Sequence, residues 1–591
     1  MTKYGAQVKQ MEHERVVEKE RNRVKTSEGA KDRAERSRIE TNRIAHEVTE
    51  NAKKRRHESK ENEMNRKTQK EIAAANAASK AASDVIGGII KAGVAAAAND
   101  PTWYKQFIKD SSPITNLPQF WPLGTEVDLG LLDGKQQSIA GILVYEYMQT
   151  LGAQSSNYLK SAINVAIGNV TAMLRRTNSR IGSYDPADIG TYLFHVAITA
   201  SHLINAGVIL KAATSFDKYN LYIGSGVVAA KGFGSDFVNI RNRRAEFIFR
   251  LNALIKRFNT SLPLPQISLA ARYSFLNNLV IKDASVKNSQ LYIFRPAYYS
   301  SWSDASNMIT LTPVPSTFDA YLTALEDAVS QFLNDADMIV LMSDIRQGMQ
   351  DKFYTVSEVG LDETLTVAES DEVLSQINNI EVALAPIWPQ SRIIRQNPDG
   401  ILVQGYDPLE PGGTDYLGGI VLSSDGTSPY ISSGVEAALD DTNTHPVGLN
   451  FYHEDVTADD ILVASRFKLR YDKASSSGGT VGYVAACGSE IVTKLYILTK
   501  DANQAHVYTE TAIYQLWAFN GTSVPLAQIN QIALMAKFDW APYLKVIFTG
   551  TPGEPNVIWE FGKYILASLV NLENLHYMSL LSEFYIPESD Y

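Results

Sequence analysis

Apolar positions fall along this chain in three regimes. In residues 1–70 they are few and small (Val16, Val17, Val24, Ile39, Ile44, Val48), and no 3.6-residue period lasts long enough to dock a face on a core. Residues 73–98 are rich in alanine and glycine, helical in pattern, with a soft spot at Gly87-Gly88. Residues 101–135 mix Pro101, Pro113, Pro118 and Pro122 with Trp103, Tyr104, Phe107, Phe120 and Trp121, the pattern of an extended segment pinned across a surface. From 136 onward apolar residues recur at helical spacing in 139–151, 158–174, 189–210, 237–258, 317–333, 336–352 and 371–384, which predicts helices. The stretch 266–315 is mixed, with a strand-like run at 290–294. Between 386 and 525, Gly and Asp turns separate short runs at 418–422, 461–469, 490–498 and 505–517, and Gly478-Gly479 suits a hairpin. Helical spacing returns at 526–537 and 559–584.

The predicted fold is mainly α with a β-rich insertion (α+β). A charged, disordered arm (1–70) leads into an Ala-rich junction and an extended segment lying on a partner subunit (71–135). A helical domain (136–385) is completed by C-terminal helices (526–591), and the β-rich insertion (386–525) lies between them. About 500 residues beyond the arm suit two to four packed units. The segment 73–98 either packs into a neighbouring subunit or inserts into lipid when released. Lys80, Asp84 and Lys91 make it too polar for an ordinary span. No window of ~18 uninterrupted apolar residues occurs, so no spanning helix is predicted. No apolar signal region follows Met1. The protein is expected to be made in the cytosol, where the sequons at Asn169, Asn259 and Asn520 carry no weight.

Charge divides the chain further. Residues 1–70 hold 20 Lys/Arg and 13 Asp/Glu, net +7; against totals of 55 and 65, the remainder holds 35 and 52, net −17. The arm repeats a phrase, Glu20-Arg21-Asn22-Arg23, Glu40-Thr41-Asn42-Arg43 and Glu63-Met64-Asn65-Arg66. Its most basic run is Lys53, Lys54, Arg55 and Arg56. With Arg23, Arg43, Arg66 and Lys67 these are the candidate nucleic-acid contacts, because neutralising phosphates releases counterions without requiring a base sequence. The alternatives are a solvated polyampholyte tail, or a nuclear-import signal at 53–56. In 237–258, Arg243, Arg250, Lys256 and Arg257 fall off the apolar stripe. They either face nucleic acid or pair with the acidic body.

Motifs for catalysis are missing. The chain has no His-Glu-x-x-His and no Gly-x-Ser-x-Gly. The run from Gly130 to Gln136 is one residue short of a phosphate-binding loop and lacks its Ser/Thr. Gly224, Gly226, Gly232 and Gly234 read as turn residues. Of nine histidines, His195 and His202 share a helix face without a carboxylate at ligand spacing, as core or interface histidines do. Asp440-Asp441 and Asp459-Asp460 read as turn or solvent residues. The single cysteine, Cys487, reads as a small buried hydrophobe. Neither a metal nor a cofactor is expected. One chemistry needs no motif: an asparagine amide can attack its own carbonyl carbon and cut the chain after itself. Asn76, before Ala77, suits this sterically, and Asn65 suits it by position.

This ensemble resembles the picobirnavirus capsid (coat) proteins. The likeness rests on the Glu/Arg/Asn-rich arm with its repeat, the Ala-rich junction, and the large helical body without enzyme motifs. The resemblance implies two-fold dimers that build an icosahedral shell around double-stranded RNA and the viral RNA polymerase. It makes the helical domain the shell and the β-rich insertion its projecting part. It places the protein in the virion, assembled in the host cytoplasm, with the host membrane as a partner during entry. It implies no enzyme beyond single-turnover autoproteolysis after an asparagine near the end of the arm. This transfers to Asn65 or Asn76, although Arg66 departs from the small residue expected after the cut. The alternative is an RNA-binding nucleoprotein or scaffold that forms no shell, and the acidic body counts against it. A hydrolase with an unrecognised site is a third reading.

Overall fold

The computed structural model describes most of residues 141–586, together with the short strands Ser112–Pro113, Glu126–Asp128 and Gln136–Ser138. Intervals including 154–159, 215–222, 283–289, 406–418, 422–446, 501–507 and 521–533 lie outside the described residues. The chain divides into two compact units, Met1–Gly87 and Gly88–Tyr591. The first unit is outside the described residues, and so are 88–111.

Eleven α-helices occur among the described residues: α1 Ala162–Thr177, α2 Pro186–Thr214, α3 Ile223–Ala230, α4 Phe237–Asn242, α5 Arg244–Ser261, α6 Ser268–Asn278, α7 Phe318–Leu333, α8 Ala336–Gly348, α9 Asp371–Asn378, α10 Ala458–Ala464 and α11 Leu569–Glu583. α2 is the hub, packed against α1, α3, α5, α6 and α7. It is apolar on every side and therefore buried on every side. By length and hydropathy it is the one described helix that could cross a membrane, which the uninterrupted-run criterion had missed. Its apolar window is 94% buried inside the protein, so it serves here as a core helix.

A five-stranded sheet stands beside the helices, in the order Tyr508–Ile513, Glu490–Lys500, Ile142–Gln149, Leu291–Pro296, Val280–Lys282. All its pairings are antiparallel except that of Ile142–Gln149 with Leu291–Pro296, which sets Tyr145 beside Phe294. The central strand corrects the helix predicted over 139–151. Ile142, Val144 and Met148 enter the α2-centred core, whereas Leu143, Tyr145 and Tyr147 enter a second core on the other face. A strand covered on both faces is apolar throughout, so its period of two is invisible in sequence. Two strands from 386–525 belong to this same sheet. A second, antiparallel sheet runs Leu402–Gln404, Ile393–Gln396, Met308–Pro313, Tyr298–Ser303.

The described body is mainly helical with a strand-rich region, as predicted. The stripe in 237–258 is buried at Phe237, Ile240, Phe247, Leu251, Leu254 and Phe258, though the helix divides at Arg243. The hairpin around Gly478-Gly479 forms, with Arg470–Ser476 paired to Gly479–Ala486. Other local expectations need correction. The run 461–469 begins inside α10, whose first turn is closed by a capping box: the Thr457 hydroxyl accepts from the Asp460 N–H, and the Asp460 carboxylate from the Thr457 N–H. The helix predicted over 559–584 is preceded by a strand, Lys563–Ala567, and starts at Leu569. The helix predicted over 371–384 ends at Asn378. Most of 526–537 lies outside the described residues.

Candidate functional site: buried polar clusters and the outer face of α5

The residues singled out for cleavage and RNA contact, Asn65, Asn76, Lys53, Lys54, Arg55, Arg56, Arg23, Arg43, Arg66 and Lys67, all lie outside the described residues, as do Gly130, Gly134, Lys135 and Asp440-Asp441. The body offers its own polar constellations instead.

The two α2 histidines are fully engaged. His195 Nε2 donates to the Ala328 carbonyl at 3.0 Å and Nδ1 accepts from the Ser300 hydroxyl at 2.9 Å. His202 Nε2 donates to the Tyr298 carbonyl at 2.9 Å and Nδ1 accepts from Tyr321 at 2.7 Å. Each ring therefore needs its neutral form, and burial pushes both down to about 4. Lys231, at the end of α3, donates to the carbonyls of Asn277 (2.8 Å) and Phe294 (2.9 Å), and burial pushes its ammonium down to about 7. Gly232 turns the chain out of α3 at φ +93°, as a turn residue does, whereas Gly224 and Gly226, also read as turn residues, lie inside α3. Cys487 is buried, its thiol pushed up to about 12 by that burial. Among the described residues no cluster of three or more His, Cys, Asp or Glu could hold a metal ion.

A second interior cluster was not visible in the sequence. Arg272 of α6 donates to Glu490 of the sheet at 2.6 Å and to Gln376 of α9 at 3.0 Å. Arg466, just past α10, pairs with Glu583 at the end of α11 and lies 3.9 Å from Glu490. Ser489 joins them, donating to Glu583 at 3.1 Å. Burial raises both carboxyls. For Glu490 the two guanidiniums and the donors from Ser489 and Arg272 outweigh it, leaving the carboxyl below its usual range. For Glu583 burial prevails over Arg466. The cluster ties four elements together around α11, whose His576 is held down to about 4 by burial and by Arg466. Nothing in it is open to a substrate, because all four charged side chains are buried.

The basic flank of 237–258 resolves the two readings left open above. Arg243 donates to Glu246 at 2.9 Å and reaches Asp319 at 3.6 Å. Arg250 donates to Glu326 at 2.5 Å and Asp319 at 3.0 Å, and Arg257 to Ser330 at 3.1 Å. The pairings advance together along both helices, so α5 and α7 run parallel, and Arg250 is spent on α7's Asp319 and Glu326. On the opposite flank Asn252 and Asn259 hold the backbone at Val359 and Val356. The outward strip between these flanks carries Ala245, Phe249, Ala253 and Lys256, with Phe249 79% exposed. Phe249 departs from the buried stripe by position alone, a signal the sequence contained and the reading above did not use.

Comparison with known proteins follows from this architecture. A solved chain described as "X-ray crystallographic structure of the picobirnavirus capsid" superposes with a TM-score of 0.60 at 16% sequence identity, covering 80% of this chain and 95% of that one. At that identity the likeness is one of fold. No curated protein matches the chain. The model of the family described as "Picobirnavirus, Capsid protein" matches residues 103–467, over half of the chain, and the chain accordingly belongs to the picobirnavirus capsid protein family.

Proposed function

We propose that this protein is the coat subunit that associates as a two-fold dimer, closes with further dimers into an icosahedral shell, and lays its arm on the double-stranded RNA inside. The observation that carries the reading is the family match across residues 103–467. As a capsid protein it is a structural component of the virion, assembled in the host cytoplasm, and forms a viral shell around double-stranded RNA. The division of labour within the chain is electrostatic. The arm carries net +7 and the remainder net −17. A polyanion is attracted to the first and repelled by the second. Lys53, Lys54, Arg55, Arg56, Arg23, Arg43, Arg66 and Lys67 supply the phosphate contacts. Cleavage after Asn65 or Asn76 detaches that peptide. The RNA polymerase is an enclosed partner, and the host membrane is met at entry through 73–98.

The test is electron microscopy of the purified full-length chain, with intact mass on the same sample. Closed particles are expected, holding nuclease-protected RNA that is lost as salt rises, and a chain shortened at residue 65 or 76. A monomer at micromolar concentration and physiological salt refutes the shell. Assembled particles with an uncut chain refute the cleavage alone.

A further inference from the structure

We infer that the outer face of α5 is a self-complementary contact, where a second copy of this chain lays its own α5 antiparallel across the first. This deepens the dimer reading above and rests on it. A two-fold contact must present one patch that fits itself, and the α5 strip does so residue by residue. Its outward positions are Ala245, Glu246, Phe249, Ala253, Lys256 and Thr260. Phe249 is a knob 79% exposed, and Ala253, one turn on, is a hollow of matching position. An antiparallel copy related by a two-fold axis at the level of Leu251 sets Phe249 on Ala253 of the second chain. The same register, without adjustment, sets Lys256 against Glu246. Apolar meets small and cation meets anion, twice over by symmetry. Lys256 makes no ion pair among the described residues. Glu246 accepts only from Arg243 at the rim, so its carboxylate has room for a second cation.

Both flanks favour this occupant over a nucleic acid. Arg250 beside the strip is neutralised by Asp319 and Glu326, and Arg243 by Glu246, which leaves Lys256 and Arg257 as the cations there, too few to make a row along a phosphate backbone. What remains is an apolar knob ringed by closed ion pairs, the anatomy of a protein–protein contact.

The experiment uses two charge-reversed full-length chains, Lys256→Glu and Glu246→Lys. Each alone brings like charges together twice across the two-fold, so dimerisation measured by analytical ultracentrifugation is expected to weaken at least about tenfold. Mixed one to one, every pair is again of opposite sign, and the wild-type dimer returns. Recovery in the mixture also shows that both chains are folded. As a second measurement, chains with Phe249→Cys are mixed with chains carrying Ala253→Cys and treated with a short bis-maleimide. A covalent dimer linking 249 to 253 is expected, with buried Cys487 silent. Wild-type association by either variant alone, a mixture no better than its parts, or 249 linking to no second copy overturns the inference. Shells built without the 249–253 link overturn this contact and leave the coat function standing. Linked dimers that never close into shells do the reverse.

Discussion

Acid should unfold this body through its histidines before its carboxylates matter. His195, His202 and His576 are each held down from 6.5 to about 4, chiefly by burial. Once unfolded, each ring binds a proton at its ordinary value. Between pH 6.5 and 4 the unfolded chain therefore carries protons that the folded chain refuses, and stability is lost as pH falls through that window. At pH 5.5 the linkage relation gives about 1.4 kcal/mol per ring, so about 4 kcal/mol for all three. That is a large share of the ~5–15 kcal/mol a domain possesses. The assay is urea unfolding at pH 7.0 and 5.5, at one protein concentration, on wild type and on His202→Gln. The Gln amide can still donate to Tyr298 and accept from Tyr321 but does not titrate. The variant should lose about 1.2 kcal/mol less than wild type over the interval, since a little of each ring's cost is already present at pH 7.0. Taking the difference cancels other groups, including Glu583, whose raised carboxyl works in the opposite direction and stabilises as pH falls. Identical pH dependence in both proteins would refute the assignment of buried neutral rings.

Three further outcomes follow from named contacts. Arg466→Ala strips the cation from buried Glu583 and weakens the hold on Glu490, so denaturation should show a loss of about 3–5 kcal/mol; a loss below about 1 kcal/mol means the cluster is solvated. Gly405→Ala should destabilise by more than about 1 kcal/mol, because φ is +76° and a methyl group would collide with the Gly419 carbonyl oxygen; an unchanged thermal midpoint contradicts that geometry. Thr457→Ala removes the α10 cap and should cost about 1 kcal/mol, read as faster amide exchange in the first turn of α10 with little change elsewhere.

How far the sequence reached depended on whether its signal was local. The stripe in 237–258 is legible because one face of the helix is buried and the other is wet, so polarity records orientation. The strand Ile142–Gln149 is not, since cores on both faces leave only Glu146 slightly exposed and any period fits an apolar run. Its antiparallel partner Glu490–Lys500 stands some 350 residues away, and no composition shift announces that pairing. The Thr457–Asp460 box was within reach, as Thr-x-x-Asp ahead of an apolar run, but the runs around it read as strand. The Arg272–Glu490–Arg466–Glu583 cluster draws on four elements distant in sequence, and charged residues in a chain one-fifth charged give no sign of which will be buried together. For the proposed site the reverse holds: arm residues such as Lys53 and Arg56 stand out by charge alone, and their reading as RNA contacts remains a proposal drawn from sequence.

The body's charge also bears on how assembly and packaging respond to salt. Arg243, Arg250, Arg272, Arg295, Arg466 and Arg470 each face at least one carboxylate. Residues 71–591 carry net −17. Such bodies repel one another at low ionic strength, and screening over a Debye length of ~8–10 Å relieves that repulsion. The arm's proposed attraction to RNA would have the opposite dependence, because each phosphate contact releases counterions. A chain lacking residues 1–70 should therefore assemble more readily as salt rises from about 50 to 300 mM, followed by light scattering, while the full chain over the same range should retain progressively less RNA. If the truncated chain assembles best at the lowest salt, repulsion between acidic bodies is not what limits shell closure. The arm would then have to be assigned a structural part in the contact rather than the neutralisation of RNA.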